Sequence, residues 1–375
     1  MSNIVLYRKY RPSNFTEVVG QEHIVATLRH AAKSNLLSHA YLFAGPRGSG
    51  KTTIARIVAK AANCSNLQDG DPCDACDFCR EIKENKTVDV IEIDAASNRG
   101  IDEMRDLKES IRFAPTSLKE RVFIIDEAHQ LTKEAANALL KTLEEPPPRT
   151  MFILATTEVH KMIPTILSRC QRFDFRKIPV ADIVSRLTQI LKKEKAKANP
   201  SALHLIATRS GGSFRDAETL LERILTYHLG NKEEGSIETE TVQELLGIIN
   251  NQLFEDITSL LATENAAGAL ELLDNHLLQG MDPFEFVRQL ISYLRSLMIL
   301  QVNPNLKESV LLEYLTPEQK EKALEQSREF PALRLREALE KFTRAEQEMK
   351  YASILQLPLE IAIADICRVG EEKLP

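Results

Sequence analysis

The sequence predicts a parallel α/β domain, then a small three-helix domain, then an all-α domain. Three observations carry that expectation. Up to about Phe175, short apolar runs alternate with helix-period stretches; after Pro179 the strand signals vanish; from about Val242 onward only helical periodicity remains. Strands alternating with helices imply a mostly parallel sheet covered on both faces.

The apolar runs are AYLFAG (40–45), VDVIEID (88–94), RVFIID (121–126), MFILAT (151–156) and RFDF (172–175). Amphipathic segments near 51–62, 101–112, 132–145 and 160–168 separate them. The helix ending in LLKTLEE must stop at Pro146-Pro147-Pro148, because proline lacks the N–H and its ring clashes with the preceding turn. Helix-period segments at 180–197, 201–210 and 214–228 make the small domain. The stretch 229–241 is polar, charged and holds two glycines, so it reads as a linker or exposed turn. Beyond it lie further helices, as at 284–300 and 333–351. The expected division is 1–179, 180–228, a linker at 229–241, and 242–375.

Apolar residues at 43% and charged residues at 27% exclude wholesale disorder and collagen-like repeats. The opening has no basic-then-apolar leader, and the longest apolar candidate, 290–302, is interrupted by Arg295 and falls short of the ~20 residues that a membrane span needs. A cytoplasmic protein with no membrane contact is expected. The net charge of −6 argues against binding nucleic acid by bulk charge. Residues 1–179 carry 26 Lys/Arg against 23 Asp/Glu, whereas 180–375 carry 22 against 31. Any polyanion contact therefore belongs to the first half and to local geometry.

Gly45, Pro46, Arg47, Gly48, Ser49, Gly50, Lys51 and Thr52 fit G-x-x-x-x-G-K-[ST] between a strand and a helix, the context that this motif requires. Glycines let consecutive backbone N–H groups curl around an anion, and the helix N-terminus adds partial positive charge. Lys51 neutralises β/γ-phosphates, and the Thr52 hydroxyl can ligate Mg²⁺. The strand RVFIID then delivers Asp126 and Glu127, the first placed to hold Mg²⁺ through water and the second to polarise the attacking water. A nucleoside triphosphatase follows. The letters DEAH also occur in DEAH-box helicases, but those need a second α/β domain for which this chain has no signal.

Four of the six cysteines, Cys64, Cys73, Cys76 and Cys79, fall within sixteen positions. In a reducing compartment that spacing reads as a closed tetrahedral Zn²⁺ site, structural because no open position remains. Cys170 and Cys367 read as buried small hydrophobes.

Further signals are individually weak. A threonine in ATT (155–157) ends a strand, Arg169 sits in SRC, and Arg215 lies in the first turn of the helix opened by GGSFRDA. Ser97, Asn98 and Arg99 precede a helix carrying Arg105, Lys108 and Arg112. These could meet phosphate at the helix N-terminus, or the arginines could pair with Asp102 or Glu109.

Taken together, LYRKYRPSNFTEVVGQEHI, GPRGSGKT, the four-cysteine insert, EIDAASNRGID, DEAH, LLKTLEEPP, ILSRC and GGSFRDA resemble the AAA+ ATPases of the clamp-loader branch. Within that branch they look like the gamma/tau family of bacterial DNA polymerase III subunits. It runs from residue 1 to about 228; over the last ~145 residues it rests on helical character alone. It implies an AAA+ domain, a helical lid and an α-helical collar. It implies that Arg11, Pro12, Val18 and Val19 flank the adenine, with Thr53 and Phe214 completing the ATP contacts. Thr156 or Thr157, with slight preference for Thr157, would act as first sensor. Arg215 would be the second sensor in cis, and Arg169 an arginine finger acting on a neighbouring subunit's ATP. It supports zinc at the cysteines and DNA-backbone contact at Ser97, Asn98, Arg99 and Arg105. The implied partners are other clamp-loader subunits in a hetero-pentameric ring, a sliding clamp and primer–template DNA. The implied function is an ATPase that loads that clamp. Alternatives are a non-hydrolysing stator subunit and another AAA+ DNA remodeller, such as a branch-migration motor.

Overall fold

The computed structural model describes residues 5–84, 86–97, 113–230, 235–247, 249–308, 312, 315 and 317–367. The chain forms two compact units, Met1–Ala196 with Arg209–Glu233, and Lys197–Thr208 with Glu234–Pro375.

The first unit is built on five strands: β1 (Ala40–Ala44), β2 (Val90–Asp94), β3 (Arg121–Asp126), β4 (Thr150–Thr156) and β5 (Gln171–Asp174). All pairs are parallel, in the order β2-β3-β4-β1-β5. The central strands β1, β3 and β4 are buried almost throughout, which is why they read as unbroken apolar runs. The outer strands β2 and β5 are more exposed and carry Glu92, Arg172 and Asp174. Side chains alternate faces. Tyr41, Phe43, Ile124 and Ile153 pack on one side with the helices; Leu42, Phe123, Phe152 and Leu154 pack on the other, where the Phe123 and Phe152 rings stack at 5.2 Å.

Eight helices of this unit matter below: α1 (Leu6–Lys9), α2 (Glu22–Lys33), α3 (Lys51–Asn63), α4 (Asp77–Lys83), α5 (Lys133–Glu144), α6 (Pro164–Leu167), α7 (Val180–Glu194) and α8 (Phe214–Gly230). In α3 the buried Ile54, Ile57, Val58 and Ala61 recur at helical spacing and face the sheet, so the helix leaving the glycine loop is anchored along its length. The Thr132 hydroxyl caps α5 by accepting from the Ala135 N–H at 3.3 Å.

Three sequence expectations differ from the structure. The single helix expected at 160–168 is a 3₁₀ turn, Val159–Lys161, followed by the one-turn α6; Pro164 forces Ile163 into extended backbone (ψ 126°) and restarts the helix. Strands do not end at Pro179: Lys197–Ala198 and Ser236–Ile237 pair in parallel. The second of these falls inside the stretch expected to be linker, and a helix already begins at Thr239. Such two-residue pairings lie below what alternation can signal. The helix near 101–112, with Arg105, lies outside the described residues.

The second unit holds helices Pro200–Arg209, Thr239–Leu245, Asn251–Ala262, Ala266–Leu278, Pro283–Val302, Pro317–Glu329, Ala332–Met349 and Leu357–Ile366. Helix 283–302 runs through its core, burying Phe286, Leu290, Tyr293, Leu294 and Leu297 while Arg295 stays exposed. No described helix is long and apolar enough to cross a membrane. Within that core Tyr293 donates to Gln326 at 2.7 Å and Gln326 donates to the Glu255 carbonyl at 2.7 Å, whereas the buried Thr258 hydroxyl has no partner.

Candidate nucleotide-binding site

The register of the sheet assembles the site. Ala44 at the end of β1 pairs with Thr156 at the end of β4, and Asp94 pairs with Asp126 at the ends of β2 and β3. The carboxyl ends of four adjacent strands thus lie level, beside the loop that follows β1. Ligands of open parallel sheets bind there.

That loop holds its shape through its glycines. Gly50 has φ +98° at the entrance to α3, a region that side chains disfavour. A Cβ on Gly48 would sit 1.8 Å from the Ser213 Oγ, so only glycine lets the loop approach the start of α8. Lys51 is buried, and its ammonium donates to the carbonyls of Gly45 (2.9 Å) and Pro46 (2.8 Å). Burial lowers the Lys51 pKa, and the charges of Asp126 and Glu127 oppose that shift.

The Thr52 hydroxyl donates to Asp126 Oδ2 at 2.8 Å, joining the two motifs that the sequence placed 74 positions apart. Glu127 adopts a left-handed backbone (φ 47°) that turns it off the strand. Its Oε2 accepts from the Thr157 hydroxyl at 2.8 Å, and the His129 Nδ1 lies 3.4 Å away. His129 also meets the Thr156 hydroxyl (3.0 Å) and Glu158 (3.0 Å). Thr156 is fully buried, whereas Thr157 faces the cleft beside Glu127.

These groups line a cleft of about 520 Å³. Arg11, Pro12, Val18, Val19, Arg47, Gly48, Ser49, Gly50, Lys51, Thr52, Thr53, Asp126, Glu127, Thr157, Phe214 and Arg215 all line it. Gly45 and Pro46 do not, and act instead through the carbonyls that hold Lys51. Arg169 lies outside the cleft. Glu144 holds its guanidinium by an ion pair, and the Thr165 carbonyl accepts from it at 2.8 Å. Ser97 is exposed and donates to the Asp94 carbonyl at 3.3 Å; Asn98, Arg99 and Arg105 lie outside the described residues.

Sequence reasoning missed Tyr7, His129, Arg186 and Glu218. Arg215 stacks over the Tyr7 ring at 4.9 Å, and Arg186 reaches both the Tyr10 carbonyl and Glu218 (3.3 Å). His129 follows the acidic pair, and Glu218 lies one turn beyond Phe214 and Arg215, so spacing could have flagged both. Tyr7 and Arg186 had no local signal. Burial pushes Glu218 up to about 7, against the charges of Arg186 and Arg11.

This shift has a sign that can be measured. Between the model-peptide value of 4.5 and about 7, the folded chain keeps the proton that the unfolded chain has lost. The stabilising contribution is full below that window and is lost as pH rises through it. Thermal unfolding across the window should therefore show a downward trend that Glu218→Gln flattens; equal trends in the two proteins would refute the assignment.

The four cysteine sulfurs lie within 4.8 Å of one another, with Cys64 and Cys79 buried. Cys64 Sγ accepts from the N–H groups of Asn66 and Cys73, both at 3.4 Å. Burial works against ionisation of Cys76, yet hydrogen bonds from Ser65 hold it down to about 6, while burial pushes Cys64 and Cys79 up. Four thiols, two of them buried, whose sulfurs lie this close together fit a divalent thiophilic cation. Cys170 is pushed up to about 11 by burial, and Cys367 is buried and pushed up in the same way.

The chain was compared with known families and structures. The family described as DNA polymerase III, delta subunit, matches residues 20–179; the clamp loader subunit ATPase lid domain matches 182–227; domain III of the DNA polymerase III subunits gamma and tau matches 237–374. The chain is 41% identical over 373 residues to DNA polymerase III subunit tau of Bacillus subtilis, covering 99% of this chain and 64% of that one. It is 36% identical over 304 residues to subunit tau of Escherichia coli, covering 81% of this chain and 46% of that one. The chain thus spans less than two thirds of the length of these relatives. A mutant of Thermotoga maritima RuvB is similar in fold, with TM-score 0.50 and 20% identity over 68% of this chain and 79% of that one.

Proposed function

The chain belongs to the gamma/tau family of DNA polymerase III clamp-loader subunits, and from that premise we propose that it is an ATPase motor subunit that opens a sliding clamp and loads it onto primer–template DNA. The observation that carries this reading is the Thr52–Asp126 hydrogen bond beside Glu127 and Thr157, at the level ends of adjacent strands.

The glycine loop receives the triphosphate on its N–H groups, and Lys51 exchanges the carbonyls of Gly45 and Pro46 for β/γ-phosphate oxygens. Thr52 and Asp126 would hold Mg²⁺, which when bound neutralises charge on those oxygens. Val18 and Val19 offer apolar surface to the base, with Arg11, Pro12, Thr53 and Phe214 around it. Glu127, oriented by Thr157, accepts the proton of the attacking water as its oxygen bonds to the γ-phosphorus. The bond to the bridging oxygen breaks, and ADP and phosphate leave. Arg215 reports the phosphates to the lid, and Arg169 serves a neighbouring subunit's site. ATP can shift the loader between gripping and releasing states only by its differential affinity for them.

The division into an AAA+ domain (1–179), a lid (180–228) and a collar (242–375) goes with this reading, the stretch 229–241 between them carrying the strand Ser236–Ile237 and the start of the helix at Thr239. So do structural Zn²⁺ at Cys64, Cys73, Cys76 and Cys79, and action in the cytoplasm. The partners are related subunits in a hetero-pentameric ring, the clamp, and the DNA backbone met by Ser97, Asn98, Arg99 and Arg105. ATPase activity measured against protein concentration, with and without primed DNA and clamp, tests this. Activity per chain should fall on dilution and rise with DNA; a rate indifferent to both would overturn the reading.

A further inference from the structure

We infer that Asp71, on the loop between the first two cysteines, is a positioning residue for the adenine side of the cleft, so that metal binding at the cysteines and nucleotide affinity are coupled. The inference rests on the nucleotide-binding reading above.

Asp71 is buried, and its two carboxylate oxygens serve one segment. Oδ1 accepts from the Phe15 N–H at 2.6 Å, and Oδ2 accepts from the Thr16 hydroxyl at 2.6 Å. Phe15–Glu17 is a single 3₁₀ turn with Phe15 fully buried, and it leads directly into Val18 and Val19 on the cleft wall. One turn of 3₁₀ helix has little hydrogen bonding of its own. Its position depends on the Phe15 side chain, the Asn14 cap and Asp71. Arg29 of α2 sits 3.5 Å from Asp71 and donates to the Asp69 carbonyl at 2.9 Å.

What holds Asp71 in place is the cysteine module. Its loop departs from Cys64, where α3 ends, and returns at Cys73, whose N–H donates to Cys64 Sγ. Gln68 and Asp71 close a small turn by mutual backbone hydrogen bonds at 2.9 and 3.0 Å. The buried Lys60 of α3 pairs with Asp74, between Cys73 and Cys76. Apart from Leu67, packed on the sheet core, and Asp69, held by Arg29 and Lys33, the loop is polar, so its order depends on its ends as well, because closing it costs conformational entropy. A metal bound by all four sulfurs fixes both ends at once, and through Asp71 fixes the turn that presents Val18 and Val19. The phosphate loop lies at the other end of α3 and is held by its own contacts, so the effect is specific to the base.

The test measures binding of a ribose-labelled fluorescent ATP to the full chain, with inorganic tripolyphosphate as competitor, alongside zinc content. Asp71→Ala should retain its zinc, lose about tenfold in ATP affinity and keep tripolyphosphate affinity within about twofold. Asp71→Asn, which keeps an acceptor for the Phe15 N–H, should recover most of the loss. Chelation of the zinc should reproduce the Asp71→Ala pattern, and returned zinc should reverse it. By reciprocity ATP should tighten zinc binding by the same factor. Unchanged ATP affinity in Asp71→Ala, or in chelated protein that stays folded by circular dichroism, would overturn the inference, as would an equal loss for tripolyphosphate. If Asp71→Ala does not fold, the chelated protein decides. A parent chain that binds no nucleotide would instead sink the functional reading.

Discussion

Arg169→Ala in the assembled loader should slow ATP hydrolysis by about 10³–10⁵-fold while leaving nucleotide affinity of the single chain within about twofold. Arg169 lies outside the chain's own cleft, beyond the helix Pro164–Leu167, and is held by Glu144. Its side chain is 31% exposed, accessible to another subunit. A guanidinium there contributes only if a neighbouring chain brings a γ-phosphate to it, where it neutralises charge developing in the transition state. Single-turnover hydrolysis in the assembled loader, set beside binding to the isolated chain, separates the two quantities. A normal turnover rate in Arg169→Ala would remove the trans role, and weakened binding by the isolated variant would mean that the arginine acts within its own chain.

Lys51→Ala should abolish ATP binding at millimolar concentrations without unfolding the protein. The ammonium is buried among the loop carbonyls, and burial still lowers its pKa despite the charges of Asp126 and Glu127, so the folded state bears a desolvation cost that a bound anion would offset further. The nucleotide-free variant should therefore melt at or above the parent temperature. Added ATP, which stabilises the parent by mass action, should leave the variant's melting point unmoved. Calorimetry with and without nucleotide reads both. A variant stabilised by ATP as strongly as the parent would show that Lys51 is not the phosphate contact.

Much of the site was legible because its chemistry is local. A loop of three glycines and a lysine between AYLFA and an amphipathic helix allows one geometry, and Asp126-Glu127 at the end of an apolar run allows one place. The four cysteines declare themselves by spacing. By contrast, Arg186 and Glu218 meet from helices that share no motif, and Asp71 binds Phe15 from 56 positions away. The two-residue strands at 197–198 and 236–237 escaped because alternation needs more residues than they have.

The amino-acid sequence alone determined the parallel α/β scaffold, the glycine loop, the acidic pair and the four-cysteine cluster, since each follows from backbone geometry or side-chain chemistry over a few neighbouring residues. Only the tertiary structure decided which threonine after β4 faces Glu127, that Glu144 holds Arg169, and that Asp71 of the cysteine loop accepts from Phe15 and Thr16. Those are pairings across the fold, and a linear pattern carries no information about distance in space.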